Sequence, residues 1–241
     1  MENMNFINDS VAQESKYECE PFNHVVINDF LKQEKITNLL QEINNLQDIK
    51  ADSRFIHPRS KNEFNKYAFE KNLGNNLKEL FKELNSPKFI EYLEELTGIK
   101  GLIRNMVDLR GAGIHRIKRG GFLQLHTDFN TYNHNDILLD RRINLLIYMN
   151  PNWKEEYKGH LCLCDKNKNL CVKKILPILN RCVIFNTTNN SVHGHPERLN
   201  VPPHIVRNSI AVYYYTKNIN GNLDFEGDKR HGTLWFPHIK V

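Results

Sequence analysis

Two places in the chain carry side chains suited to holding a transition metal. His126 and Asp128 stand in the run LQLHTD, and His193 and His195 in a later HGH cluster. His126 and Asp128 are one residue apart on a strand end, so period-two alternation puts both side chains on one face. That suits two adjacent ligands on one ion. Two histidines and a carboxylate are the donor set of a facial Fe(II) site with open positions, and the second cluster offers the missing imidazole. Further on, Arg207 and Ser209 share a face of the run RNSIAVYYYT. An arginine takes a carboxylate bidentately and keeps its charge when partly buried. Without such a ligand it needs a protein carboxylate, for which Asp224 or Glu226 would serve. An H-x-D pattern alone is weak evidence in a chain with 11 histidines. The Gly120-Gly121 pair before it, the histidine cluster after it and Arg207 together strengthen it.

Elements must bring these residues together. Residues 1–20 are polar and without period, which reads as a loose tail. Residues 21–30 read as a short strand around Val25, Val26 and Ile27. From Leu31 to about Asp48 apolar residues recur at helical spacing. Residues 50–74 lack a clean period and read as a long loop. A helix follows from about Asn75 to Leu84, and another from Pro87 to Gly98. Beyond Gly101 the texture changes to short apolar runs between turns, near 102–108, 113–118, 122–128, 143–149, 160–164, 171–176, 181–186, 191–195 and 207–216. Many short, evenly spaced strands indicate a sandwich or barrel. The expected organisation is a single domain over 21–241. It has a helical layer (21–100), an all-β core (101–217) that carries every candidate residue, and a C-terminal extension (218–241). Phe129 to Asp140 reads as a loop over the metal, acting as lid or substrate-recognition segment. His134 falls in that loop, and His231 reads as structural.

Composition narrows the classes. At 241 residues, 40% hydrophobic and 25% charged, the chain is ordinary for a globular protein of one large domain. A net charge of +5, spread along the chain, gives no nucleic-acid footprint. No run of about 18 apolar residues predicts a membrane helix, and the first residues lack the basic start and apolar core of a signal peptide. A cytoplasmic protein is expected, in which cysteines 19, 162, 164, 171 and 182 stay reduced. Cys162-x-Cys164 with Cys171 raises the thought of zinc, but alternation on a strand explains the first pair and no second knuckle follows.

The stretches GGFLQLHTDFN, RRINLLIYMNPNW, GHLCLCD, LPILNRCVIFN, SVHGHPE and RNSIAVYYYT, in this order over roughly residues 101–217, resemble the prolyl-hydroxylase-like 2-oxoglutarate/Fe(II)-dependent dioxygenases. The resemblance implies an α+β protein with a double-stranded β-helix (a cupin-like jelly roll) and N-terminal helices packed on one sheet. It implies His126, Asp128 and His193 as the catalytic metal ligands, because His193-Gly-His-Pro196 gives the family's H-x-x-P register. Arg207 and Tyr148 would hold the distal carboxylate of 2-oxoglutarate, with Ser209 completing an R-x-S pattern. His195 would then stand beside the metal site. The chain departs from the pattern where relatives place a tyrosine near the co-substrate. GIHRIK carries His115 and Arg116 there, and Gln124, on the face expected for His126, could substitute. Where collagen-type relatives use lysine, this chain has Arg207.

The activity implied is hydroxylation of a C–H bond with conversion of O2 and 2-oxoglutarate to succinate and CO2, Fe(II) as cofactor and ascorbate as a further candidate. A peptidyl-prolyl or amino-acid-like substrate is expected, free or in a peptide or protein. A sugar or secondary metabolite is the alternative, since one fold hosts many substrates. Two other classes stand beside this reading: a metal-using cupin-like protein without 2-oxoglutarate, which would not need Arg207, Tyr148 and Ser209, and a non-catalytic jelly-roll binding module.

Overall fold

The computed structural model describes residues 4–11, 17–106, 111–218 and 229–241. Three helices form on the expected periodicity. Helix α1 (Gln33–Asn44) buries Ile36, Leu39 and Ile43 on one stripe. Helix α2 (Asn75–Leu84) buries Leu77, Leu80, Phe81 and Leu84. Helix α3 (Pro87–Thr97) is bounded by chemistry legible in the sequence. The Ser86 hydroxyl accepts from the Phe89 N–H, Pro87 fills the first turn, and Gly98 ends it at φ 73°. The Glu42 carboxylate on α1 accepts from the Asn76 and Leu77 N–H groups, so one helix caps the next.

The β core is a curled antiparallel sheet. Its strands are β1 (His24–Ile27), β2 (Ser53–Phe55), β3 (Glu63–Phe69), β4 (Gly113–Thr127), β5 (Thr131–His134), β6 (Ile137–Tyr148), β7 (Leu161–Asp165), β8 (Leu170–Ile175), β9 (Cys182–Asn186), β10 (Val192–His195), β11 (Arg207–Lys217) and β12 (Leu234–Trp235). The main path runs β1-β9-β6-β11-β4-β10-β7-β8. Strand β4 belongs to both facing layers: residues 113–117 pair with β11, and 123–126 with β10. Between them, Gly120 lies at φ 74° and a Cβ on Gly121 would meet Phe64 O and Lys118 O at 2.8 Å, so the crossing of the chain from one layer to the other needs this glycine pair. The result is the double-stranded β-helix expected, with the helices on the outer face of the first layer.

That outer face carries Ile114, Ile143, Leu145, Ile147, Ile210 and Val212 against the helical stripes. Each fully buried aliphatic of this kind contributes about 1.5–3 kcal/mol relative to exposure. Arg116 sits on the same face and ties α1 to the sheet. Its guanidinium donates to the Ile43 and Leu46 carbonyls at 2.6 and 2.7 Å and to Asp48 at 2.9 Å. The two carbonyls lie at the C-terminal end of α1, where a cation is also favoured by the helix dipole.

Four expectations change. The first residues are no loose tail where described: Met4, Phe6, Ile7 and Val11 are buried in the main core. The N–H groups of Asn5, Phe6 and Ile7 all donate to the Glu83 carboxylate. Residues 12–16 lie outside the described residues. The 50–74 stretch contains the hairpin β2–β3, and β3 adds to β4. Asn65, at φ 51°, bulges out of β3 and breaks its period. Residues 129–140 are mostly a hairpin of β5 with the start of β6, turning at Asn135 and Asp136, both at positive φ. The runs at 113–118 and 122–128 are one strand. Of the 102–108 run, Leu102 makes an isolated bridge to Thr216, and 107–110 lie outside the described residues.

Candidate active site

His126 on β4 stands directly opposite His193 on β10, which brings their rings to 4.5 Å. Asp128 follows just past the end of β4. Its two carboxylate oxygens lie 3.5 Å from His126 Nε2 and 3.5 Å from His193 Nε2. One ligand atom from each residue lies within 4.8 Å of the others. An ion held at about 2.0–2.2 Å by each needs adjacent donors roughly 3 Å apart, so a small contraction closes the set. Both imidazoles are already turned for it. His126 Nδ1 bonds Gln124 O at 2.8 Å and His193 Nδ1 bonds Ser191 O at 2.9 Å, which puts the proton on Nδ1 and the lone pair on Nε2. Burial holds His193 down to about 4 against the pull of Asp128, so the ring is neutral, the form that ligates.

Asp128 is fixed from behind. Asn144 Nδ2 and Arg141 Nη2 donate to its Oδ2 at 2.6 and 3.0 Å. Burial opposes its ionisation, but Arg141 and the two histidines hold the carboxyl well below the usual carboxylate range. Arg141, 1% exposed, also donates to Asn144 Oδ1 and lies between the Phe129 and Tyr213 rings, 4.5 and 3.4 Å from their centroids. Sequence reasoning missed both residues. Arg141 and Asn144 are three apart, which strict alternation puts on opposite faces. A bulge in β6, where Tyr214 and Tyr215 face Ile143 and Arg141, restores them to one face. The available signal was Asn144 itself, a polar residue in an otherwise apolar strand.

The three residues open into a cavity of about 250 Å³ whose other end holds Arg207 and Ser209. Arg207 Nε donates to Gly159 O at 2.9 Å, and its guanidinium lies 4.9 Å from the Tyr148 ring centroid. Among the described residues no carboxylate pairs with it; Asp224 and Glu226 lie outside them. Tyr148 is fully buried and its hydroxyl finds no hydrogen-bond partner. His195, 3% exposed, lines the same cavity with neither ring nitrogen partnered. Burial and then Arg207 hold it well below an ordinary histidine, hence neutral. A buried arginine beside three orphaned polar atoms is costly unless an anionic ligand completes them.

Gln124 is a correction. It faces away from the cavity, into a shallow groove with Ser60 and Arg198, and accepts from the Leu125 N–H. His195 pairs with Leu123 and His193 with His126, so β4 carries one extra residue between them. That bulge turns Gln124 and Leu125 outward and Leu123 inward. It presses on Gly194, where a Cβ would meet Leu123 O and Gln124 O at 2.9 and 2.8 Å. Of the GIHRIK pair, His115 enters the cavity and Arg116 the helical face. Sequence reasoning also missed Lys66 and Glu63, joined at 2.9 Å on the cavity wall, and Trp235 of β12, which pairs with His126 and stacks 5.1 Å from its ring. Only Phe129 of the expected lid reaches the cavity. His231 is structural, its N–H donating to Asn130 Oδ1 and its ring bonded to Asn189.

Residues 112–215 match the family model of the 2OG-Fe(II) oxygenase superfamily. That stretch, most of the β core, is matched as a 2OG-Fe(II) oxygenase domain, and Fe(II), 2-oxoglutarate and O2 are the reactants that go with the superfamily. Among solved structures the fold is similar to a Trichoplax adhaerens prolyl hydroxylase in complex with a hypoxia-inducible-factor oxygen-degradation-domain peptide (22% identity, 80% of this chain and 83% of that one, TM-score 0.56). It is also similar to a Pseudomonas putida prolyl-4-hydroxylase (15%, 88% and 97%, 0.55). A third likeness is the viral collagen prolyl hydroxylase of Paramecium Bursaria Chlorella virus-1 (16%, 82% and 98%, 0.51). No significant match was found among curated protein sequences. Among the described residues no helix is long and apolar enough to cross a membrane.

Proposed function

We propose that His126, Asp128 and His193 hold Fe(II), that Arg207 binds the distal carboxylate of 2-oxoglutarate, and that the oxygenase hydroxylates a C–H bond of a prolyl, peptidyl or amino-acid-like group. One observation carries this reading: a two-histidine, one-carboxylate cluster shares its cavity with a buried arginine that no described carboxylate neutralises. When bound, Fe(II) and 2-oxoglutarate supply the oxidant, and O2 and 2-oxoglutarate end as hydroxylated product, succinate and CO2.

The chain's own residues do the positioning. The Gln124 and Ser191 carbonyls keep Nε2 of both histidines free to ligate. Asn144 and Arg141 occupy Asp128 Oδ2, which leaves Oδ1 for the ion and keeps the carboxylate from swinging. In this reading the Tyr148 hydroxyl and Arg207 donate to one carboxylate of the co-substrate, with Ser209 beside them. Phe129, Tyr213 and Trp235 form an aromatic mouth that excludes water and suits a small ring or aliphatic side chain. The prolyl substrates named for the similar structures support the same substrate class. Ascorbate is proposed as the reductant that keeps the iron ferrous. The free cysteines support a reducing, cytoplasmic setting.

The test is anaerobic addition of Fe(II) and 2-oxoglutarate to the apo protein. A visible charge-transfer band that His126→Ala abolishes is expected. A wild-type protein that gives no band overturns the reading.

A further inference from the structure

On the back of the sheet, away from the cavity, three thiols meet. Cys162 and Cys164 lie two apart on β7 and project from its outer face, where they pack with Leu125, Val192 and Ile239 and against Cys171 of β8. Cys164 and Cys171 are direct cross-strand partners. The Cys171 N–H donates to Lys240 O, away from β7, and Cys164 is flanked on its other side by Val192 of β10. A register shift between Leu163 and Cys164 sets these two residues opposite each other, and opposed Cα atoms of an antiparallel pair lie about 4.5–5.5 Å apart. A disulfide accepts Cα separations of roughly 4.4–6.8 Å. Cys162 instead faces Lys174 and reaches Cys171 only on the diagonal. All three cysteines are free.

The thiols differ in access. Cys164 and Cys162 are 0% and 1% exposed, whereas Cys171 is half-buried on the edge strand of its layer. Contact with Cys162 and Cys164 draws the Cys171 thiol well down. The same contact together with burial pushes both of those thiols up. The thiol of the trio that ionises most readily thus sits at the one position of the three that solvent reaches.

We propose that Cys171 is a peroxide-reactive thiol and that Cys164 resolves it into an intramolecular cross-strand disulfide. The Cys171 thiolate attacks one oxygen of hydrogen peroxide, an S–O bond forms, the O–O bond breaks, and the departing hydroxide leaves as water. The Cys164 thiol then attacks the sulfenic sulfur, an S–S bond forms, the S–O bond breaks, and a second water leaves. The two thiols lose two electrons and two protons, and one peroxide becomes two waters. The bond stands on the strand whose Leu163 pairs with His193, so it would tie the edge of the layer to the strand backing the candidate metal ligand.

The full chain is treated with a stoichiometric excess of hydrogen peroxide, then alkylated and mapped without reduction. The expected product is a Cys164–Cys171 crosslink, lighter by two hydrogens and reversed by dithiothreitol, formed faster than any adduct on exposed Cys19. Cys162→Ser keeps the crosslink, and Cys164→Ser loses it and leaves Cys171 as a sulfenic or sulfinic acid. Three results overturn the proposal: a crosslink that survives Cys164→Ser, one that vanishes in Cys162→Ser, or wild-type protein in which Cys171 is over-oxidised while Cys164 stays a free thiol. Thermal unfolding of each variant beforehand confirms that the mapped protein is folded.

Discussion

The Asn144 amide donates to Asp128 Oδ2 at 2.6 Å, and through that bond a residue in the middle of one layer fixes a carboxylate at the end of the other. Asn144 also accepts from Arg141 at 2.6 Å, so the three form a closed triangle. Asn144→Leu is expected to weaken Fe(II) binding by about 10–100-fold, the usual cost of losing a group that orients a ligand. Anaerobic metal titration checks this. Fold should survive, because leucine fills the space and Arg141 retains Asp128.

Arg207→Ala should raise the dissociation constant for 2-oxoglutarate by about 10–100-fold, as expected for the loss of charge-assisted hydrogen bonds worth roughly 1.5–3 kcal/mol. Titration of the charge-transfer band measures it. Arg207→Lys should recover only part, because an ammonium cannot reproduce the fork and would also lose the Gly159 contact.

His195→Leu separates binding from folding. Removing two unpartnered nitrogens from a buried site should leave the unfolding temperature of the apo protein unchanged or higher. If His195 donates to the co-substrate, 2-oxoglutarate affinity should fall several-fold in the same variant. A drop in stability with unchanged affinity would make the residue purely structural.

Acid should loosen the helical layer through Asp48. Burial opposes its ionisation, yet Lys118 and Arg116 outweigh this and lower its pKa from the ordinary 3.8. A carboxylate depressed in the folded state stabilises above its unfolded value and loses that contribution as pH falls through the folded one. The unfolding temperature should therefore drop as pH goes below about 4, the ordinary aspartate value. Asp48→Asn should have a lower unfolding temperature at neutral pH and a shallower fall in acid, as followed by circular dichroism.

Gly194→Ala should cost about 1–3 kcal/mol, the range for overpacking, because the added methyl meets two backbone carbonyls rather than a side chain that can move. Chemical denaturation at constant m-value reads this directly.

The helices and the pairing of His126 with Asp128 were legible because each follows one local period, many short strands pointed to a sandwich or barrel, and the jelly roll followed from the family resemblance. What was not legible follows from three bulges. An extra residue in β4 sends Gln124 outward, one in β6 brings Arg141 round beside Asn144, and Asn65 disguises β3 as loop. A bulge changes no composition, only the phase of alternation, so nothing in the local pattern announces it. The burial of Phe6 and Ile7 was equally invisible, since Glu83, the group that anchors their backbone, lies far along the chain. Cys171 joining Cys164 depended on register, which no single strand encodes.

The bulge before His126 has one more consequence. It makes the proposed iron centre a matter of odd and even count. Loss of a single codon for Gln124 or Leu125 would leave a plausible strand and every ligand still encoded. The pairing of His126 with His193 and of Leu123 with His195 could not then both hold. For this short segment, variation in length is more dangerous to the chemistry than variation in residue type.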